Sequence, residues 1–216
     1  MLNSGIKNII FDLGGVLLNL DYSRTAKAFR KLSPAFLSFD PVYTGLKDKE
    51  LFENFEKGFL SPGQFRDGIR SILLREMKSK SNESLHTDEM IDNAWNVMLL
   101  DFPADRLKLL QRLKADYRLF LLSNTNAIHL EAVAQILFNS IGHRNLGSVF
   151  EKEYFSNLMG MRKPDKEIFH FVLEENKMKP EETFYIDDSP QHVQGAATLG
   201  IQSYLLKKGE EVQDLF

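Results

Sequence analysis

A short apolar run near the start of the chain ends at a carboxylate. Residues 9–11 are apolar, Asp12 follows them, and Gly14 and Gly15 come soon after. A short continuous apolar run bounded by glycines is typical of a strand buried on both faces, so we predict a strand that ends at Asp12. A charged side chain at the end of a buried parallel strand is therefore the first candidate for chemistry.

Residues 18–99 carry a helical pattern, and we find no strand pattern among them. Apolar residues recur three or four positions apart, which predicts amphipathic helices. The predicted helices are Tyr22–Leu32, Asp48–Lys57, Gln64–Lys78 and Asp88–Leu99. We therefore predict a separate all-helical module inserted after the first strand.

The rest of the chain alternates between helix and strand patterns. The predicted helices are Asp105–Lys114, Ala127–Phe138, Asp165–Glu175 and Pro190–Leu199. The predicted strands are Arg118–Leu122, Lys152–Phe155, Thr183–Ile186 and Gln202–Leu205. Such alternation predicts an α/β fold with a parallel sheet that also contains the first strand. The predicted division is a core of residues 1–17 and 100–216 and a cap of residues 18–99.

Composition and charge narrow the functional classes. At 216 residues, of which 43% are hydrophobic, the chain is long enough to bury a sizeable core. Its net charge of −3 gives no general attraction to nucleic acid or to an anionic membrane. No run approaches the roughly 18 apolar residues of a membrane span, and residues 1–5 are too short and polar to begin a signal peptide. We therefore expect a cytoplasmic protein, in which the absence of cysteine leaves metal chemistry to carboxylates.

Polar side chains follow three of the predicted strands and the loop after another. Ligands bind beyond the carboxyl ends of the strands in open α/β sheets, so we expect these side chains to share one site. They are Asp12, Ser123, Asn124, Lys163, Asp187 and Asp188. The set supplies carboxylates, a hydroxyl, an amide and one cation.

The adjacent acids after the fourth strand favour a metal ion. Asp187 and Asp188 would repel each other and Asp12 unless a cation lay between them, because buried like charges are costly. Mg2+ prefers hard oxygen ligands and usually binds one or two carboxylates together with a substrate phosphate. Asp12, Asp187 and a backbone carbonyl fit that preference, and the Lys163 ammonium would neutralise phosphate oxygens.

Each of these residues also has an ordinary structural explanation. Ser123 and Asn124 precede a predicted helix, where they would bind an anion or simply cap the helix. An aspartate at a strand end, such as Asp12, is typical of a turn, and residues 187–190 have the pattern of a helix start. A lysine such as Lys163 is usually solvated at the protein surface. The occurrence of all four groups at strand ends, in this order, favours a functional site.

Four short motifs make the chain similar to the haloacid dehalogenase-like hydrolase superfamily across nearly its whole length. The motifs are Phe11–Val16, Leu121–Thr125, Gly160–Asp165 and Ile186–Ser189. The resemblance implies a Rossmann-like three-layer core, an inserted helical cap, Mg2+ dependence and an aspartyl-phosphate intermediate. It also implies residue roles: Asp12 as nucleophile and metal ligand, Ser123 as phosphate-binding hydroxyl, Lys163 as cation, and Asp187 and Asp188 as metal-binding acids.

One position departs from the phosphatases of this family. They usually carry a second aspartate two residues after the nucleophile, which moves the leaving-group proton, and this chain has Gly14 there. Its carbonyl still suits a metal, but no side chain remains to transfer a proton. The first motif, with residues 21–24 and 123–126, resembles bacterial sugar phosphatases that act on α-glucose 1-phosphate. A hexose 1-phosphate leaves as a hemiacetal hydroxyl, which needs less help from an acid, and Asp21 is the nearest spare carboxylate.

We therefore predict an Mg2+-dependent phosphatase whose substrate is a small phosphorylated metabolite, expected to be a sugar phosphate. Three alternatives stay open. A metal-independent haloacid dehalogenase leaves Asp187 and Asp188 unexplained, and a phosphomutase needs the acid–base aspartate that Gly14 replaces. The third is a phosphate-binding protein that has lost turnover. The sequence leaves the physiological substrate and the oligomeric state open.

Overall fold

The computed structural model describes residues 5–32, 49–77 and 86–216, and a parallel sheet lies at its centre. The strands found in these ranges are β1 Asn8–Phe11, β2 Arg118–Ser123, β3 Lys152–Phe155, β4 Thr183–Asp187 and β5 Gln202–Leu205. They form one sheet in the order β3-β2-β1-β4-β5, and every neighbouring pair is parallel. The predicted α/β class with a parallel sheet is confirmed.

The helices fall close to the predicted ranges. Those described are α1 Tyr22–Leu32, α2 Lys49–Glu56, α3 Pro62–Met77, α4 Asp88–Asn96, α5 Ala104–Leu113, α6 Ala127–Ile141, α7 Ser156–Met159, α8 Lys166–Glu175 and α9 Pro190–Ala197. Asp48 and Lys78, the predicted start of α2 and end of α3, lie outside the described residues. The short helix α7 was not predicted, because one turn is too short to show a helical period.

The residues of β1 alternate between two hydrophobic layers. Ile9 and Phe11 pack in the cluster that contains Leu110 of α5, whereas Ile10 packs with Phe169 of α8. All three strand residues are fully buried. The sheet is therefore covered by helices on both faces, which is the three-layer core that the resemblance implied.

The inserted helices have an aromatic core of their own. Phe55 of α2 stacks on Phe65 of α3 with ring centroids 4.1 Å apart, and Trp95 of α4 lies 5.3 Å from the Phe65 ring. Ile128 of α6 belongs to the same cluster, so the cap helices pack directly against the core. Aromatic residues at helical spacing in this segment therefore serve packing.

Two chain segments that enter and leave the cap run side by side. Leu20 and Leu99 form an antiparallel bridge, and the Asn19 N–H donates to the carbonyl of Asp101 at 2.9 Å. Helix α4 therefore ends at Asn96 rather than at the predicted Leu99, since Leu99 pairs with the other segment. The predicted division of core and cap at 17/18 and 99/100 passes through this ribbon and stays a prediction.

We expect Phe65→Ala to lower the free energy of unfolding by about 3–5 kcal/mol, because a buried stacked ring leaves a cavity. Phe65 is 0% exposed, whereas Phe59 is 62% exposed, so Phe59→Ala is the matched control and should change stability by about 0.5 kcal/mol or less. Urea unfolding followed by circular dichroism measures both. Equal stability of the two variants would contradict the packing described for the cap.

Candidate active site

The sheet order places the predicted site residues at one crevice. From β1 the chain moves outward through β2 and β3, and it then returns to the other side of β1 with β4 and β5. Phe11 is aligned with Leu121 and with Ile186, so Asp12 and Asp187 leave adjacent strands at the same level. Such a switch in strand order opens a ligand crevice at the carboxyl ends of the strands.

A buried ammonium joins the strand ends. Lys163 Nζ lies 2.9 Å from Asp12 Oδ1 and 2.7 Å from Asp187 Oδ2, and it donates to the carbonyl of Leu122 at 2.8 Å. Its side chain is 0% exposed, so the alternative explanation of Lys163 as a solvated surface residue does not apply. A buried charge needs such partners, because one left unpaired costs several kcal/mol.

Asn124 fixes the backbone of the same lysine. Its side-chain oxygen accepts from the Lys163 N–H at 2.9 Å, and its amide nitrogen donates to the Lys163 carbonyl at 2.9 Å. Both ends of the amide are therefore used to position the lysine. Among the described residues, the nearby Ser123 hydroxyl makes only a long 3.5 Å contact with the Asn124 carbonyl, which leaves it available to a ligand.

The two oxygens of Asp12 have different surroundings. Oδ1 accepts from the Leu13 N–H at 2.7 Å and faces Lys163, whereas Oδ2 has no hydrogen-bond partner among the described residues. Burial and then the charge of Asp187 raise the pKa of Asp12 well above its usual range, although Lys163 opposes the shift. One oxygen is thus held in place and the other is available for reaction.

The adjacent acids Asp187 and Asp188 also differ in their surroundings, and Asp187 is the enclosed one. Asp187 accepts hydrogen bonds from the Tyr185 hydroxyl and from the Ser189 N–H at 2.8 Å, and His192 Nδ1 lies 3.1 Å from it. Although burial acts to raise the pKa of Asp187, Lys163 and then His192 hold it below its usual value. Asp187 is fully enclosed by protein donors.

Asp188 faces the crevice instead. Burial and then Asp187 raise the pKa of Asp188 to about 6. A Cβ on Gly15, which has φ +74°, would lie 2.1 Å from Asp188 Oδ2, so only glycine fits beside this carboxylate. The close approach brings Asp188 to the loop that follows Asp12.

The site carries more negative charge than its lysine neutralises. Asp12, Asp187 and Asp188 face a single ammonium, and two of the three have a raised pKa. Atoms of Asp12, Asp187 and His192 lie within 4.8 Å of one another, but Asp187 and His192 already bond to each other. The cavity-facing carboxylates Asp12 and Asp188 therefore suit a hard divalent cation better than that cluster does.

A cavity of about 240 Å3 lies between the core and the cap above these residues. Its core wall includes Asp12, Ser123 and Asp188, whereas Tyr22 of α1 and Glu56 of α2 enter it from the cap. Sequence reasoning missed Tyr22, Glu56, Arg162 and His192, which also line the cavity. Arg162 stands inside the third motif and Tyr22 in the stretch 21–24, but neither had been assigned a role, and no motif contains Glu56 or His192. Only the tertiary packing brings the end of α2 to the strand ends.

Asp21, the nearest spare carboxylate in sequence, has a structural role. Its side chain accepts from the Ser23 N–H at 3.0 Å and from the Ser23 hydroxyl at 2.6 Å, at the start of α1. These bonds, the hydroxyl first, lower the pKa of Asp21. Asp21 is absent from the described cavity lining, so it caps the helix and does not replace the missing acid.

Comparison with known proteins identifies the family. The chain matches the haloacid dehalogenase-like hydrolase model over residues 6–200. The chain belongs to this family. It is 29% identical over 206 residues to the D-ribitol-5-phosphate phosphatase of Bacteroides thetaiotaomicron, a match that covers 95% of the chain and 94% of that protein. The predicted family and the predicted class of phosphoric monoester hydrolase are confirmed.

Solved structures agree. A haloacid dehalogenase family enzyme from B. thetaiotaomicron, solved with magnesium and inorganic phosphate, is 40% identical with a TM-score of 0.81 and matches 98% of this chain and 99% of its own. A predicted hydrolase of the same family from Porphyromonas gingivalis is 34% identical with a TM-score of 0.76, covering 96% and 94%. A dehalogenase at 18% identity and a TM-score of 0.62 shows the fold alone.

We expect the metal-free protein to lose about 1 kcal/mol or more of unfolding free energy as the pH rises from about 5 to 7.5. The folded pKa of Asp188, about 6, lies above its unfolded value, so its contribution is present at low pH and is lost as pH rises through 6. Thermal and urea unfolding in EDTA measures the fall.

Adding Mg2+ and substituting Asp188 both test the cause of this fall in unfolding free energy. Millimolar Mg2+ should remove most of it, because a bound cation stabilises the ionised carboxylates, and Asp188→Asn should reduce it. Asp21→Asn is the matched control, since the Asp21 pKa is lowered and its removal should leave the fall in place. A fall unaffected by Mg2+ would contradict the cation site.

Proposed function

We propose that this protein is an Mg2+-dependent phosphomonoester hydrolase that acts on a small sugar or alditol phosphate through an aspartyl-phosphate intermediate. The observation that carries the proposal is the asymmetry of Asp12. Lys163 and the Leu13 N–H hold Oδ1, and Oδ2 has no partner among the described residues. A nucleophile with one oxygen fixed and the other free suits in-line attack on phosphorus.

We propose Asp12, the Gly14 carbonyl and Asp188 as the ligands of Mg2+. The sequence also predicted Asp187 as a ligand. Asp187 is bound to Lys163 and His192, so we propose that it acts mainly by positioning Lys163. When bound, Mg2+ supplies charge neutralisation and orientation of the phosphoryl oxygens. A relative was solved with magnesium and inorganic phosphate, which supports the choice of Mg2+ as the cation.

The side chains of the chain divide the remaining work. Asp12 Oδ2 attacks phosphorus, a new O–P bond forms, the ester P–O bond breaks, and the departing oxygen takes a proton from solvent. Water then attacks the aspartyl phosphate, which releases inorganic phosphate and restores the Asp12 carboxylate. Lys163 and the Ser123 hydroxyl stabilise the phosphoryl charge, which is the dominant contribution in phosphoryl transfer. Asn124 fixes the Lys163 backbone, and we propose that it contacts substrate only through its own main chain.

Several observations favour a small hydroxylated substrate. The cavity of about 240 Å3 lies below the usual range for drug-sized ligands. The chain is similar over 95% of its length to an alditol phosphate phosphatase.

No helix in the described ranges has the length and apolar character needed to span a bilayer. We keep the cytoplasm as the proposed location.

The alternatives have less support. The dehalogenase structures are too distant to show more than the fold, and a metal-independent reaction gives no reason for Asp188 to face Asp12. A phosphomutase still lacks an acid–base residue at Gly14. A non-hydrolytic binding protein would retain the same cavity, and only turnover assays distinguish it from an enzyme.

Asp12→Asn should lower the rate of phosphate release from phosphomonoesters by about a thousandfold or more, because the nucleophile is lost. Asp21→Asn, which removes an exposed carboxylate outside the cavity, is the matched control and should stay within about twofold. Phosphate release from ribitol 5-phosphate with Mg2+ and with EDTA measures both. Full Mg2+-dependent activity in Asp12→Asn would refute the mechanism, and halide release from a 2-haloacid in EDTA would favour the dehalogenase.

The Gly14 departure has its own test. A Cβ at Gly14 would lie 2.7 Å from Leu20 Cδ1, so an aspartate needs Leu20 to move, and Gly14→Asp is best made together with Leu20→Ala. Relative to Leu20→Ala alone, we expect turnover of an unactivated alkyl phosphate to rise about tenfold or more and that of a hexose 1-phosphate by about twofold at most. Equal gains on the two esters would contradict the proton-transfer argument.

A further inference from the structure

A carboxylate from the cap and a guanidinium from the core meet at the cavity. Glu56 Oε2, at the end of α2, accepts from Arg162 Nε at 2.9 Å. Both residues line the cavity that contains Asp12 and Asp188. Arg162 directly precedes Lys163 in the chain, so this guanidinium and the ammonium that contacts Asp12 belong to neighbouring residues.

Each member of this pair keeps polar atoms for a ligand. Arg162 Nη1 binds Glu53 Oε1 at 3.0 Å on the outer side, and Arg162 Nη2 has no partner among the described residues. Glu56 Oε1 also has no partner among the described residues, although Glu56 is only 8% exposed. A nearly buried carboxylate oxygen without a protein donor is costly unless a ligand or water satisfies it.

The backbone holds Glu56 in place. The Ser156 hydroxyl donates to the Glu56 carbonyl at 2.7 Å and accepts from the Thr125 N–H at 2.9 Å. This link connects the end of α2 to the loop that follows Ser123, the last residue of β2. Glu56 is therefore positioned relative to the phosphate-binding residues rather than left on a free helix end.

The rest of the cavity wall is mixed, because polar side chains such as Tyr22 and Gln191 line it together with apolar ones. Leu18, Leu20, Met98 and Leu99 line it with apolar surface. A hydroxyl can donate to Glu56 Oε1 and accept from Arg162 Nη2, and two neighbouring hydroxyls can use both atoms at once. An alkyl group leaves both atoms unpaired.

We propose that Glu56 and Arg162 are specificity-determining residues that bind hydroxyls of the alcohol part of the substrate. The substrate class is then a polyhydroxylated phosphomonoester, such as an alditol phosphate, rather than a simple alkyl phosphate. This inference rests on the proposed phosphatase function, and it adds a recognition site at the cap end of the cavity. Because α2 carries Glu56, the cap selects the substrate with a charge-assisted hydrogen bond.

The test compares ribitol 5-phosphate with pentyl phosphate, which has the same carbon number and no hydroxyls. The wild-type protein should favour ribitol 5-phosphate by about tenfold or more in kcat/KM, mainly through KM. Glu56→Gln, which keeps the size of the side chain, should lower kcat/KM for ribitol 5-phosphate about tenfold and change that for pentyl phosphate less than twofold. Similar losses on both esters would overturn the proposal.

Glu53→Gln is the matched control. It also removes a carboxylate bound to Arg162, but Glu53 does not line the cavity, so the preference for ribitol 5-phosphate should stay within about twofold. A loss of preference equal to that of Glu56→Gln would mean that the pair only attaches the cap, and would overturn the proposal.

If the proposed phosphatase function is wrong, the same comparison of esters gives a different result. In that case the wild-type protein hydrolyses neither ester with Mg2+. The same two ligands and variants are then compared by dissociation constants from calorimetry, which decide the hydroxyl site without turnover. Tighter binding of ribitol 5-phosphate that depends on Glu56 supports the site, and equal binding of the two esters overturns it.

Discussion

The active site depends on one buried ion network, in which the Lys163 ammonium lies between Asp12 and Asp187. The lysine is fully buried, so it is retained only because two carboxylates and a backbone carbonyl surround it. The same contacts fix Asp12 Oδ1 and leave Oδ2 free. The stability of the strand ends and the alignment of Asp12, the proposed nucleophile, are therefore one physical requirement, since moving either carboxylate exposes an unpaired buried charge.

Charge balance extends this requirement to the metal. Lys163 neutralises the charge of one carboxylate, but Asp12, Asp187 and Asp188 lie close together. Burial and then the charge of Asp187 therefore raise the pKa values of Asp12 and Asp188. Three carboxylates and one ammonium leave a net charge of −2, which a divalent cation balances. The carboxylates are thus held in a geometry that becomes favourable when the cation binds, which is the electrostatic preorganisation that phosphoryl transfer requires.

Strong local signals made most of the core predictable from the sequence. The apolar residues 9–11 predicted a doubly buried strand, and β1 is fully buried. The sequence could not decide between the adjacent acids: Asp187 ends β4 and is enclosed, whereas Asp188 lies just beyond the strand and lines the cavity. Glu56 was missed because its position in an amphipathic helix says nothing about which core loop the helix end contacts.

The Gly14 departure and the cap are connected through Leu20. The space beside Gly14 is filled by the Leu20 side chain, which belongs to the ribbon that joins cap and core. An apolar contact therefore occupies the place where related phosphatases carry a proton-transferring aspartate. Under the proposed function, the leaving group lies beside side chains that enter the cavity from the cap, Tyr22 and Glu56 among them. Because the ribbon and these side chains share one module, any movement of the cap changes contacts with the leaving group and the shielding of Asp12 together.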